Sequence, residues 1–375
     1  MWVLAHPQHR AAAERYLAEH PNPNLRLVWV TLPPRLDPWR PAHGEHGLRL
    51  HYLIWQHIAR RAAEVIYASH DIDLSHHISW GTLSAPPLLW QLPVPFVWGP
   101  VGGGQTTPRA FLGYFGRGWP KEIARSIRVG LVARLPAVCQ AARASALILA
   151  TNRDTARVVA RAGGRRVKLF PDAGIAPEDR PAVMPRRRSC SELTLLWAGR
   201  FEARKALPLA LEALAQVRDV RVRLLVAGDG PLADEWQARA LALGVRDRVR
   251  FLGRVPWREM HELFDAADAF VFTSLRDSFG AVVLEAMAHG LPVLTLDHQG
   301  VADIVPAACA IKVPVTAPAQ TVAGLAAGMR TLAASAEVRA AMGEAAWLAA
   351  GRLTWSERAR QVSAWYAECL TQGVR

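Results

Sequence analysis

Acidic residues are scarce in the first half of this chain. Residues 1–190 hold 25 Lys and Arg against 12 Asp and Glu, whereas residues 191–375 hold 20 of each, so the whole formal charge of +13 lies in the first half. Such asymmetry points to an anionic partner for that half. Arginine-rich coding accounts for the arginines but not for acids missing on one side only. Cysteine is also sparse. Cys139, Cys190, Cys309 and Cys369 lie far apart, which excludes a disulfide framework or a paired-cysteine zinc site and leaves reduced, partly buried thiols. No uncharged apolar run reaches the roughly 18 residues a spanning helix needs. The opening Met-Trp-Val-Leu-Ala-His-Pro has no cationic stretch followed by a long apolar one, so no secretory leader is expected. Internal repeats, low-complexity tracts and nucleic-acid recognition motifs are absent, and nucleic acid is not an expected partner. These absences give the expectation of a cytoplasmic protein.

What remains is a 375-residue chain, 51% apolar and 21% charged, which suits two globular domains. Strands are expected at Trp2–Ala5, Leu25–Leu32, Leu74–Ile78, Pro95–Trp98, Ala146–Ala150 and Val167–Phe170, with helical stretches at His9–Glu19, Leu50–Ser69 and Pro120–Ala144. Strands separated by helices imply a parallel sheet with right-handed crossovers. The polar segment Met184–Glu192 reads as an interdomain linker. Beyond it, strands are expected at Leu193–Ala198, Val222–Ala227, Val249–Leu252, Ala269–Thr273 and Leu291–Leu296. Helices are expected through Leu207–Val217, Leu232–Leu243 and Trp257–Ala266, up to Gly290, and from Thr321 on. The final helix, Trp355–Leu370, is apolar enough that it must dock.

The segment from Thr273 to Leu294 carries the most chemistry. It sets Asp277 and Glu285 eight positions apart around Gly280, with a buried strand before and a helix between. A carboxylate at a strand end and one on the next helix face the carboxyl edge of a sheet, where open α/β folds bind ligands. Each can accept two hydroxyl hydrogen bonds, which suits a polyhydroxylated ligand. Upstream, Arg200 follows a strand end and Lys205 lies five residues on, at an expected helix start. A guanidinium and an ammonium there can stabilise a diphosphate, helped by the positive helix end.

Trp197-Ala-Gly-Arg-Phe-Glu-Ala-Arg-Lys205, Ala227-Gly-Asp-Gly-Pro231, Phe251-Leu-Gly-Arg254 and the Asp277/Glu285 segment follow one another in an order that resembles the nucleotide-binding domain of retaining GT-B glycosyltransferases, in particular glycosyltransferase family 4. The resemblance covers about residues 190–310. It implies an α/β fold of two Rossmann-like domains facing across a cleft, and transfer of a sugar from a nucleotide-diphosphate donor to a hydroxyl acceptor with retention. It implies Arg200 and Lys205 on the diphosphate, Glu285 on the ribose and Asp277 on the donor sugar. It further implies that the backbone at Gly228, Phe279 and Gly280 lies near sugar or phosphate, and Arg254 near the base. The family's usual residue at the Asp277 position is Glu, one methylene longer. The loop Asp297–Asp303 stands where the family has a glycine-rich loop ending in Glu. No paired-Asp motif for a metal is present, and no metal or cofactor is expected. The family's mechanism requires no dedicated side-chain base.

In the first half, Asp73-Leu-Ser-His76-His77 resembles a strand-end pattern of the family's acceptor domain. Pro95–Gln105 ends a strand in the triple glycine Gly102-Gly103-Gly104. Both are expected at the acceptor side of the cleft, the glycines offering their amides. Family members open with a strand, loop and helix before a strand like Trp2–Ala5, so about 35–40 residues are expected to be missing from a doubly wound sheet whose first strand is central. Within 119–144, Lys121, Arg125, Arg128 and Arg134 alternate with apolar residues beside Trp119, which suits an anionic membrane surface, here the inner face. The expected domains are 1–188 on the acceptor side, 189–354 on the donor side and a helix at 355–375 crossing back. The acceptor expected is a saccharide or lipid-linked saccharide of cell-surface polysaccharide or glycolipid synthesis. A nucleotide-sugar epimerase of the same architecture and a non-catalytic donor-binding subunit remain open alternatives.

Overall fold

A computed structural model describes residues 1–39, 44, 46–185 and 192–372. Most of the expected linker, residues 186–191 with Cys190, lies outside the described residues. The chain folds around parallel sheets. The largest has six strands in the order β12-β11-β10-β7-β8-β9, formed by Ala310–Val313, Val293–Leu296, Ala269–Phe272, Leu193–Ala198, Val222–Ala227 and Val249–Gly253. Every pairing in it is parallel. Its inner strands are apolar on both faces: β10 and β11 are buried at every position, as a sheet covered by helices on both sides requires. The covering helices are α6 (Leu207–Gln216), α7 (Ala233–Ala242), α8 (Trp257–Ala266), α9 (Ala281–Ala288), α10 (Gln299–Ile304), α11 (Pro318–Ala334) and α12 (Ala336–Gly351). Proline at the first turn starts α11, where a missing N–H costs nothing. Ser335 caps α12 by accepting from Val338 N.

A second parallel sheet, β3-β4-β5-β6, comprises Ser75–His77, Phe96–Val101, Ser145–Ala150 and Val167–Leu169. Helix α5 (Arg153–Arg161) follows β5 directly, and its N-cap Asn152 accepts from Thr155 N at 2.8 Å. The single helical stretch expected at Pro120–Ala144 is two helices, α3 (Trp119–Val132) and α4 (Pro136–Ala144). Pro136 forces the break: Leu135 takes an extended conformation, as the residue before proline does. The final helix α13 (Trp355–Gln372) packs on this second sheet, with Trp365 and Cys369 buried among Val97, Leu147, Leu149 and Phe170.

The first two strands, β1 (Trp2–Ala5) and β2 (Arg26–Trp29), form a separate parallel pair. Among the described residues, the outer edge of β1 and one edge of β3 pair with no strand. No residue of β1 or of helix α1 (Arg10–Glu19) is buried. Helix α2 (Leu48–Ser69) covers one face of the pair through Tyr52, Trp55 and Ala59. Among the described residues no helix is long and apolar enough to cross a membrane.

Candidate active site

The carboxyl ends of β7, β8, β10 and β11 open on one edge, and most of the expected donor residues come from the loops there. At β7, Gly199 N–H donates to Ala227 O at 3.0 Å, drawing the loop of Arg200 against the end of β8. Gly228 closes this approach. Its φ is 139°, and a Cβ would lie 1.9 Å from Gly199 O, so only glycine fits. Lys205 does not begin a helix. It ends a short 3-10 turn, Ala203–Lys205, and α6 starts two residues later after Ala206 in a left-handed conformation. The turn is sewn to the segment after β10, where Leu275 N–H donates to Arg204 O at 2.8 Å and Thr273 Oγ donates to Lys205 O at 3.0 Å.

That stitching joins Lys205 to Asp277. Lys205 Nζ hydrogen-bonds Asp277 Oδ2, and Arg204 Nη1 reaches the same oxygen at 3.3 Å. Both Lys205 and Asp277 are largely shielded, and the ammonium also lies 5.4 Å from the Phe272 ring centroid, a cation–π contact. Arg200 lies apart, its side chain 69% exposed and paired with Glu202 at 3.0 Å. Glu202 also holds Arg204 at 2.9 Å. Three cations, Arg200, Arg204 and Lys205, therefore share one short loop. Arg204 was not singled out in the sequence, although its position beside Lys205 was the available signal.

The backbone around Asp277 is held from several directions. Asp277 N–H donates to Gln299 Oε1 at 2.8 Å, and Ser278 N–H to Asp277 Oδ1 at 3.0 Å. Gln299 Nε2 donates in turn to Thr106 O at 2.9 Å. The Phe279 ring is fully buried under α9. Gly280 is the left-handed N-cap of α9. Among the described residues the amides of Phe279 and Gly280 have no protein acceptor, leaving donors at a helix N-terminus. Glu285 sits on α9. Burial raises its pKa, and the charge of Asp179 raises it further. Behind it, His289 Nδ1–H donates to Asp265 Oδ1 at 2.8 Å and its Nε2 accepts from His261 Nδ1–H at 3.1 Å. Arg254 follows β9 and is exposed.

The two larger sheets meet at this edge. Asn152 Nδ2 donates to Ser278 O at 3.1 Å, Ser278 Oγ to Asp172 Oδ2 at 3.1 Å, and Arg153 N–H to Asp303 Oδ2 at 2.7 Å. Glu122 of α3 pairs with Arg276 at 2.9 Å and accepts from Thr107 Oγ1 at 2.8 Å. Burial and the neighbouring Arg276 push the Arg125 pKa down to about 10. The Gly102–Gly104 loop lies against Ser278 and Thr155, but its amides are not free. Gly102 N–H donates to Gly81 O at 2.7 Å, Gly103 N–H to Gln105 Oε1 at 3.0 Å and Gly104 N–H to Thr155 Oγ1 at 3.1 Å. The loop supplies close approach rather than an amide cradle. His76 has both ring nitrogens engaged: Nε2–H donates to Gly99 O at 2.6 Å and Nδ1 accepts from Tyr366 OH. His77 Nε2–H donates to Tyr52 OH at 2.9 Å. Burial holds both histidines neutral, with pKa values near 4. They anchor α13 and α2, and His76 has no ring nitrogen left over.

Residues 187–347 match the family model of glycosyl transferases, group 1. Arg200, Arg204, Lys205, Gly228, Arg254, Asp277, Phe279, Gly280 and Glu285 lie within that match. A D-inositol 3-phosphate glycosyltransferase of Segniliparus rotundus is 33% identical over 194 residues, 49% of this chain and 42% of that protein. The lipopolysaccharide core biosynthesis glycosyltransferase LpsE of Rhizobium meliloti is 37% identical over 125 residues, 33% of this chain and 32% of that protein. The alignments thus span less than half the length of these curated relatives. Among solved structures, HepE of Anabaena in complex with UDP superposes with a TM-score of 0.58 at 18% identity, covering 95% of this chain and 89% of that one. The fold is the GT-B arrangement of two α/β units.

Proposed function

We propose that this chain is a retaining glycosyltransferase that moves a sugar from a nucleotide-diphosphate donor to a hydroxyl of a saccharide or lipid-linked acceptor. One observation carries the reading: Lys205 and Arg204 converge on Asp277 at the sheet edge, with Arg200 open beside them. In the free protein the cations neutralise Asp277. A bound diphosphate takes them over, and the carboxylate is released to accept hydroxyl hydrogen bonds from the donor sugar. Glu285 accepts from the ribose, the amides of Phe279 and Gly280 face phosphate or sugar, and Arg254 borders the base. As the bond from sugar C1 to the phosphate oxygen breaks, Arg200, Arg204 and Lys205 meet the charge gathering on the leaving group. The acceptor oxygen bonds C1 from the same face, and its proton passes to the departing phosphate oxygen.

In this reading residues 1–188 form the acceptor side, 189–354 the donor side, and 355–375 a tie back to the first. A uridine diphosphate sugar is the first donor to test, because HepE, a structural relative, is seen with UDP. Nucleotide release that depends on added acceptor supports transfer, and release with no such dependence, or epimerised donor, defeats it. The cations replace a metal here, so activity should survive chelation by EDTA.

Polysaccharide or glycolipid synthesis at the inner membrane face is the setting we propose. It is supported by exposed Trp119, Ile127, Leu131 and Leu135 beside exposed Lys121, Arg128 and Arg134 in and around α3. Arg125 is turned inward, its Nη1 donating to Gln105 O at 2.8 Å. Salt-sensitive binding to anionic liposomes is expected, and equal binding to neutral vesicles would count against it.

A further inference from the structure

The carboxyl end of β3 differs from those of its neighbours. Val101 at the end of β4 and Ala150 at the end of β5 are fully buried, whereas beyond β3 Ile78 is 61% exposed and Trp80 37% exposed. Large apolar groups are thus exposed at this strand end, on the edge where open α/β sheets receive ligands; Leu169 at the end of β6 is also 37% exposed, but it is an aliphatic side chain and offers no ring face.

Trp80 is held in place rather than left loose. Its φ of 46° is left-handed, an unfavourable conformation for a bulky side chain that persists only where the surroundings impose it. Its indole stacks on the Tyr52 ring, with centroids 4.3 Å apart and planes 17° from parallel. Tyr52 is buried, donates its hydroxyl to Ser79 O at 3.0 Å and accepts from His77. A rigid aromatic pair thus presents the outer ring to solvent.

The pair stands close to the loop carrying Asp277. Gly81, the next residue, accepts from Gly102 N–H at 2.7 Å, and Gly102 O accepts from Leu83 N–H at 3.1 Å. Gly102 lies against Ser278, the residue after Asp277. Backbone hydrogen bonds to Gly102 and the close approach of Gly102 to Ser278 therefore place the segment carrying Trp80 beside the neighbour of the residue assigned to the donor sugar.

We propose that Trp80 is the platform on which a pyranose ring of the acceptor stacks. A pyranose carries hydroxyls around its rim and C–H bonds on its faces. An indole face, negative in its quadrupole, attracts those C–H bonds and removes apolar area from water without needing a hydrogen bond. The proposal rests on the glycosyltransferase reading and narrows its acceptor class to pyranosides with an open C–H face.

The test is saturation-transfer difference NMR on the full chain, with methyl glucopyranoside, galactopyranoside and mannopyranoside as one arm and UDP as the other. Saturation is expected on the ring C–H protons of one pyranoside face. Trp80→Ala should weaken that binding about tenfold while Trp80→Phe keeps most of it. Retained UDP signal in the variants shows that the fold is intact. Pyranoside binding unchanged in Trp80→Ala overturns the proposal, as does wild-type protein that binds UDP and no pyranoside. Absence of UDP binding in the wild type strikes instead at the functional reading, and the pyranoside arm still decides the platform.

Discussion

Glu122 and Arg276 form an ion pair at 2.9 Å that joins helix α3 to the loop carrying Asp277. Glu122 has only 6% of its side chain exposed, and it also holds Thr107 and approaches Arg125. Removing one partner of a buried pair leaves the other charge desolvated and unpaired, which is costly even where the intact pair adds little. Glu122→Ala should lower unfolding stability by about 3 kcal/mol in urea titrations. Because Arg276 adjoins Asp277, donor KM should rise as well. A variant as stable as wild type with unchanged donor KM would show that the pair holds nothing in place.

Lys205 is the cation most tightly bound to Asp277. If it stabilises the leaving diphosphate, Lys205→Ala should lower kcat by roughly 10²–10³-fold, the range seen when one preorganised donor is lost. Arg204→Ala should do less, since its contact is longer and it is shared with Glu202. Steady-state rates with a saturating donor measure both. Equal, small losses would remove Lys205 from the chemistry.

Close packing of the loop carrying Asp277 gives a steric prediction. A Cβ on Gly300 would lie 1.7 Å from Ser278 O, a backbone atom that cannot swing aside, whereas one on Gly113 meets nothing within 4 Å. Gly300→Ala should displace the Asp277–Ser278 segment and reduce both melting temperature and turnover. Gly113→Ala should leave turnover near wild type, and similar behaviour of the two would refute the packing.

The interior strands were legible because burial on both faces writes near-continuous apolar runs, as in Leu193–Ala198 and Val222–Ala227, whose bounds match the sequence reading. Short elements such as α10 and β12 were missed: six and four residues carry too little periodicity. At the candidate site, the pairing of Lys205 with Asp277 joins two residues that local motifs single out, as they do Glu285. Glu122, Asp172, Asp179 and Gln299 could not be picked out, since each reaches the loop carrying Asp277 or its helix by tertiary packing that spacing does not encode. The triple glycine looked like an amide cradle because sequence cannot show that Gly81, Gln105 and Thr155 already accept those amides.

His76 and His77 predict an acid-sensitive fold. Burial lowers both folded-state pKa values from 6.5 to about 4, and His76 depresses His77 further. In the unfolded chain both protonate below the ordinary value, while the folded protein resists. Stability is therefore full above pH 6.5 and falls towards pH 4, by roughly 1.4 kcal/mol per pH unit per histidine. Urea midpoints across this window should fall with that slope, and His77→Gln should make it shallower. A flat profile between pH 6.5 and 4 would contradict burial of neutral rings.

If Glu285 holds the ribose as proposed, acid should also weaken ligand affinity. Burial first, and the nearby charge of Asp179 second, raise its pKa above 4.5. Only the ionised carboxylate accepts two ribose hydroxyls, so donor affinity should weaken on acidification at a higher pH than an ordinary glutamate allows. Asp179→Asn removes a repelling charge, which lowers the Glu285 pKa and should move the acid limb of UDP binding to lower pH. At pH values above both limbs the affinities should agree. Glu285→Gln should erase this limb and weaken UDP binding about tenfold at neutral pH, the loss expected when charge-assisted hydrogen bonds become ordinary ones. Calorimetric Kd values across the acid range separate the cases. A limb that stays put in Asp179→Asn, or moves upward, would detach Asp179 from Glu285, and one that survives Glu285→Gln would assign the proton to another group.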